Sequence, residues 1–301
     1  LKFTFPHYRY SISPFSIPLL REGIDMVKMG AGYIFASIFT SLSMWLTCAL
    51  LSDTGDGEAA GLFSAGYMMI TLLPGMLFAA LDSEYYPRLS GAAANTATRN
   101  RMVNEQIEVQ LLVQPPMLMA FAVAMPILIP LFYRQDFAPA IAMAQLAMFG
   151  MFMRTMTFPL SFLTLAKNDT VIYVIMEGIY NILFVVLTVT GFHYRGIAGA
   201  GAGLALLHTL DFLMVYLVTH RKYGMAISKN ALHYFLIQLP LFIGMIATTQ
   251  LCNGGIVYWL SGGACVLLST IVSYYFFGKL SIIPKPVSHI AGKIMKIFRS
   301  K

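Results

Sequence analysis

GIVYWLSGGACVLLSTIVSYYFF, residues 255–277, contains no Asp, Glu, Lys, Arg or His. A helix needs about 20 mainly apolar residues to cross the hydrocarbon of a bilayer, so this stretch is long enough to span on its own. Moving outward, seven more runs of the same kind precede it: Met29 to Ser52, Ala60 to Leu81, Val109 to Tyr133, Ala138 to Leu165, Thr170 to Gly191, Gly196 to Val218 and Ala231 to Leu251. The whole chain is 58% hydrophobic and 11% charged, with mean hydropathy +0.71. Soluble domains carry about 25% charged residues. The predicted class is therefore an all-α integral membrane protein of about eight transmembrane helices.

The charges order these spans. Positive flanking loops are retained in the cytoplasm, and if the first span runs outward, seventeen of the 20 Lys and Arg residues fall on the inner side. Only Arg134 and Arg195 lie outside and Arg154 within a span, while the first outer loop holds Asp53, Asp56 and Glu58. The net charge of +7 thus records topology, not nucleic-acid binding. A bacterial inner-membrane protein with both termini cytoplasmic is expected. Residues 1–28 mix aromatics, prolines and basic residues and are expected at the inner membrane surface, with Ile17 to Lys28 a short interfacial helix. Residues 278–301 form a basic tail in which Ile290, Ile294 and Ile297 are spaced to lie on anionic lipid. Between them, 29–218 is predicted as a six-helix lobe and 219–277 as an added helix pair.

Ionisable side chains inside a membrane are costly, about 2.5 to 3.5 kcal/mol each on insertion scales, and face a cavity or a partner. Arg154, Glu177 and Asp211 are the three that fall within spans away from their ends. Glu177 lies seven residues into the fifth span and Asp211 seven from the end of the sixth, which places both about 10 Å deep at 1.5 Å per residue. His208 and Asn181 share a helix face with Asp211 and Glu177. The candidate substrate-binding residue is Arg154, whose planar fork suits a phosphate. Glu177, Asp211, His208 and Asn181 form a candidate ion-coupling cluster. The same charges also suit a buried ion pair that only fixes packing. Cys48, Cys252 and Cys265 match no metal or redox spacing, and the six histidines make no hydrolytic or metal motif. No cofactor or metal is expected, and the chain is not expected to be an enzyme.

Two stretches go further. Gly61, Leu62, Phe63, Ser64, Ala65, Gly66 and Tyr67 open the second span, and Tyr85, Tyr86, Pro87, Arg88, Leu89 and Ser90 follow its exit in a Tyr-x-Pro-x-Leu turn. With the small-residue opening Gly196 to Gly203 of the sixth span, this resembles the oligosaccharide flippases, the polysaccharide transporter branch of the multidrug/oligosaccharidyl-lipid/polysaccharide exporter superfamily. Members have twelve to fourteen spans in two six-helix lobes, so the chain resembles the C-terminal lobe plus the two extra helices, and an N-terminal lobe is expected to be missing. The first residue, Leu1, agrees with a truncated start. The resemblance implies transport of undecaprenyl-pyrophosphate-linked oligosaccharide for O-antigen or other surface polysaccharide by alternating access, with Arg154 the cationic cavity residue. Membrane lipids, the other lobe and a polysaccharide polymerase are the implied partners.

A multidrug or peptidoglycan-precursor exporter of the same superfamily would share this architecture. A membrane glycosyltransferase or polymerase would be expected to carry catalytic residues in a substantial outer loop. The outer loops here, such as 134–137 and 192–195, are a few residues long.

Overall fold

The computed structural model describes residues 17–278 except 55, 56, 93, 253 and 254. The expected N-terminal surface loop before residue 17 and the basic tail from 279 lie outside the described residues. The described chain is helical throughout: α1 (Ile17–Thr54), α2 (Glu58–Asp82), α3 (Tyr85–Gly91), α4 (Thr96–Phe132), a single 3-10 turn (Gln135–Phe137), α5 (Ala140–Ala166), α6 (Thr170–Tyr223), α7 (Lys229–Leu251) and α8 (Gly255–Phe277). Residues 17–28 form the first turns of α1, continuous with the span, because Pro18 fits the first helical turn and no breaker follows.

Seven of the described helices are long and apolar enough to cross a membrane. One crosses twice. At 54 residues α6 would be about 81 Å long if straight, but Arg195 (φ −142°, ψ 26°) and Gly196 (φ 60°, ψ −147°) break it. The Gly196 conformation is one that side chains disfavour. The arms 170–194 and 197–223 then run antiparallel in close contact. A Cβ on Gly199 would collide with the Gly191 carbonyl, and one on Gly203 with the Leu187 carbonyl. The glycine-rich opening is the seam of this hairpin, as small residues allow backbones to approach in lipid. The eight crossings predicted from the sequence are thus present, two of them in one hairpin.

Helix α5 is central. It packs against α6 on one side and α4 on the other, with α1 against α6, α2 against α5, and α7 and α8 against α4. Phe152 of α5 stacks on Phe235 and Phe242 of α7 at ring separations of 5.3 and 4.8 Å. The Tyr-x-Pro-x-Leu stretch expected as a turn is the short helix α3; its Tyr85 and Leu89 are buried, and the Tyr85 hydroxyl donates to the Pro159 carbonyl of α5 at 2.9 Å. Large apolar side chains such as Trp45, Leu131, Val171 and Ile256 point outward. That is expected where lipid, not water, surrounds the bundle.

Prolines lie within α2, α4, α5 and α7, and each removes the N–H that would serve a carbonyl four residues earlier. At Pro126 the freed Ala122 carbonyl accepts from Gln145 Nε2 of α5 at 3.2 Å. Gln145 Nε2 also reaches the Tyr258 hydroxyl of α8 at 2.9 Å, which donates to the Val123 carbonyl at 2.8 Å, and Gln250 of α7 donates to Gln145 Oε1 at 3.4 Å. Deeper in the same seam Ser269 donates to Gln238 Oε1 at 2.8 Å and Gln238 Nε2 to Ser273 at 3.0 Å. Neutral polar groups thereby fasten α7 and α8 to the rest.

The connection from α6 to α7 is gripped by the polar start of α4. Gly224, at φ 66°, ends α6. Arg99 Nη2 donates to the Tyr223 carbonyl at 2.6 Å, Asn100 to that of Gly224 at 2.8 Å and Asn104 to that of Ala226 at 2.9 Å. Ser228, whose hydroxyl also caps α7, donates it to Glu108 at 2.6 Å. Tyr223 in turn donates its hydroxyl to Asp169 at 2.6 Å, joining the two basic-end termini of the α6 hairpin.

Candidate functional site

A cavity of about 180 Å³ opens between α1, α2, α5 and both arms of α6. Its wall brings together Arg154 from α5, Glu177 from the first arm and Asp211 from the second. Because the arms run antiparallel, residues at matching depth from the same membrane face meet, which is why Glu177 and Asp211 share a level. The Arg154 guanidinium lies 4.4 Å from the centre of the Phe158 ring, one turn along its own helix. It lies within electrostatic reach of Glu177, Asp211, Tyr67 and Tyr180. Among the described residues it forms no ion pair within 4.0 Å. One buried and two half-buried ionisable groups therefore surround a space instead of collapsing onto one another. A cation that keeps its planar fork free at a cavity wall can take two oxygens of an anionic group, and the two carboxylates can take a proton or a cation.

Asn181 and His208 are not part of the cavity wall. Asn181 turns toward α1, where its Oδ1 accepts from the Ser43 hydroxyl at 2.6 Å, while its Nδ2 donates to the Glu177 carbonyl at 2.8 Å. His208 is buried behind the wall, its ring 5.8 Å from that of Tyr180 and in contact distance of Gly150, where a Cβ would meet it. Among the described residues its Nδ1 has no hydrogen-bond partner. Arg134, between α4 and the 3-10 turn, and Arg195, at the break in α6, do not line the cavity, and Arg134 lies 3.6 Å from Asp136 with both side chains exposed.

The wall is completed by hydroxyls that were not among the candidate residues: Thr40, Tyr67, Thr157, Ser161, Tyr173 and Tyr180. Their signal was periodic. Tyr173, Glu177 and Tyr180 recur at steps of four and three, as do Arg154, Thr157 and Ser161 at three and four, so each set shares one helix face. Among the described residues there is no group of three or more His, Cys, Asp or Glu able to hold a metal.

No family model matches the chain, and no curated protein matches it. Among solved structures it resembles the lipid II flippase MurJ in an inward closed conformation, with a TM-score of 0.61 and 14% identity over 81% of this chain and 52% of that one. A MATE protein in complex with Br-NRF matches with a TM-score of 0.46 and 17% identity, over 83% of this chain and 64% of that one. The chain spans about half the length of the flippase. At 14% identity the likeness is one of fold: the chain is a multi-pass helical membrane protein built like the lipid II flippase over most of its length.

Proposed function

We propose that the chain forms one lobe of a transporter that flips a lipid-linked, phosphate-bearing substrate, in first place undecaprenyl-pyrophosphate-linked oligosaccharide for surface polysaccharide such as O-antigen. It works in the bacterial inner membrane with both termini cytoplasmic. The observation that carries this reading is Arg154, a cation that faces a membrane-buried cavity without an ion pair within 4.0 Å among the described residues. A diphosphate is the part of such a lipid that a planar guanidinium recognises best. Glu177 and Asp211 border the same space and serve as the groups that exchange a proton or sodium ion during transport.

Residues 29–218 would act as the six-helix lobe, with 219–277 as the added pair and a second lobe completing the path in alternating access. A polysaccharide polymerase is the expected consumer of the exported lipid. The fold likeness to the lipid II flippase favours a second reading in which the cargo is a peptidoglycan precursor, which carries the same diphosphate. A multidrug exporter is the third. Transport is favoured over catalysis because the lipid II flippase shares this fold.

The test is leaflet translocation in proteoliposomes containing the protein with both lobes, comparing labelled undecaprenyl-pyrophosphate oligosaccharide with lipid II and with small organic cations. Movement of the oligosaccharide lipid that Arg154→Ala abolishes without unfolding supports the first reading. Movement of lipid II alone selects the second, and export of small cations alone under an ion gradient selects the third.

A further inference from the structure

Asp82 ends α2 at the basic end of the bundle, outside the Arg154 cavity, and is 8% exposed. Among the described residues no cation pairs with it. Its Oδ1 accepts from Gln110 Nε2 at 2.7 Å and Gln106 Nε2 at 3.3 Å, and Gln106 Nε2 also donates to the Leu81 carbonyl at 3.0 Å. Gln106, Gln110 and Gln114 lie at four-residue steps along one face of α4. Gln110 and Gln114 have no exposed surface. Yet among the described residues Gln110 Oε1 and both amide atoms of Gln114 have no hydrogen-bond partner.

Backbone oxygen adds to this. Pro115 and Pro116 remove the N–H groups that would serve the carbonyls of Leu111 and Leu112, in the turn between the two glutamines. The C-terminal end of α2 also carries the negative pole of its helix dipole. A buried carboxylate is thus placed at a negative helix end against the Gln110 amide, whose oxygen is unsatisfied, with the unsatisfied Gln114 amide one helical turn further along α4, although buried charges are ordinarily paired and buried polar atoms ordinarily bonded. The three side chains supply hard oxygen donors and a single formal negative charge.

We propose that Asp82, Gln110 and Gln114 form a binding site for a monovalent alkali cation, Na⁺ in first place, held by the Asp82 carboxylate and the two amide oxygens. Oxygen ligands of this kind suit hard cations, and one carboxylate balances one positive charge. The bound ion fastens the end of α2 to the proline-broken turn of α4. This site is separate from the Arg154 cavity and does not depend on what that cavity carries.

Thermal midpoints of the purified protein in nanodiscs test it, with NaCl replaced stepwise by choline chloride at constant ionic strength. Binding to the folded state raises the midpoint with ligand concentration. A saturable Na⁺-dependent rise is expected for wild type and for Arg154→Ala, and its loss for Asp82→Asn and Gln114→Leu. If Asp82→Asn does not fold, equilibrium binding of radiolabelled sodium to wild type and Gln114→Leu decides, with saturable binding expected only in the former. No Na⁺-specific rise or binding in wild type, or either one surviving the substitutions, overturns the site. A rise on acidification that Na⁺ does not reproduce assigns the carboxylate a proton and overturns it as well.

Discussion

The seam joining α7 and α8 to α4 and α5 and the cavity between α1, α2, α5 and α6 are both polar regions inside a membrane protein, and they handle polarity in opposite ways. In the seam Gln145, Gln238, Gln250, Tyr258, Ser269 and Ser273 are all neutral and all bonded to one another or to backbone. The Ala122 carbonyl that Pro126 strands is taken up by Gln145. In the cavity three ionisable groups line a space, and Arg154 spends its contact on an aromatic ring. Complete pairing is the pattern of adhesion in lipid. Charge held open to a cavity is the pattern of a transport path. On the proposed function, the difference separates the part of the molecule that holds from the part that would handle cargo.

The frame that keeps the cavity walls at one level is the α6 hairpin, so its seam should respond most strongly. Gly199→Leu places a side chain where the Gly191 carbonyl already lies. Neither arm can retreat without opening the bundle, so a loss of about 3 kcal/mol or more is expected, at the upper end of overpacking costs. The readout is the fraction of monodisperse protein in size-exclusion chromatography. Recovery equal to wild type would mean that the arms are not packed as the contact requires.

The next effect separates charge from geometry in the cavity. Arg154→Lys keeps the positive charge but not the planar fork, and a lost charge-assisted hydrogen bond costs about 1.5 to 3 kcal/mol. Transport of a diphosphate lipid should fall by about tenfold or more at unchanged thermal midpoint, with Arg154→Ala lower still. Equal activity of the Lys variant and wild type would leave Arg154 as a simple counter-charge for Glu177 and Asp211.

The seam should answer in the reverse sense, losing stability and keeping transport. Gln145→Leu removes the bonds to Ala122, Tyr258 and Gln250. Hydrogen bonds between membrane helices average about 0.6 kcal/mol each, so a destabilisation of about 1 to 2 kcal/mol is expected in the thermal midpoint of the reconstituted protein. A collapse of transport without a stability change would erase the division between the two regions.

How far the sequence reveals this division depends on the range of the interactions. The spans were legible because lipid demands about 20 apolar residues per crossing, and the Arg195 to Gly196 break in α6 falls between the fifth and sixth apolar runs. The level shared by Glu177 and Asp211 followed from counting residues along two antiparallel arms. Their neighbours were less legible: Asn181 and His208 lie about 40° and 60° round the helix from Glu177 and Asp211. That offset is enough for Asn181 to bond Ser43 of α1 and for His208 to pack beside Gly150 of α5. The polar turns 96–108 fall outside the apolar run Val109 to Tyr133. They are helical because Asn95 caps them, accepting from the Thr98 N–H at 3.0 Å, and because Arg99, Asn100 and Asn104 hold the distant 223–226 backbone. Pairing across more than a hundred residues leaves no local pattern.

The smallest effect supplies the reference for the other three. Arg101 Nε lies 2.6 Å from Glu105 Oε1, a shorter contact than any hydrogen bond in the α7–α8 seam, but the two side chains are 70% and 26% exposed. Exposed i,i+4 pairs contribute about 0.3 to 0.5 kcal/mol and are screened by salt. Arg101→Ala should therefore shift the midpoint by less than Gln145→Leu, and raising the salt concentration should shrink that shift further while leaving the Gln145→Leu shift unchanged. If the charged surface pair proved the more stabilising of the two, the neutral seam would not be what holds α7 and α8 in place. Attachment would then rest on the aromatic stack of Phe152, Phe235 and Phe242, and Phe235→Ala would become the variant that separates the pair from the lobe.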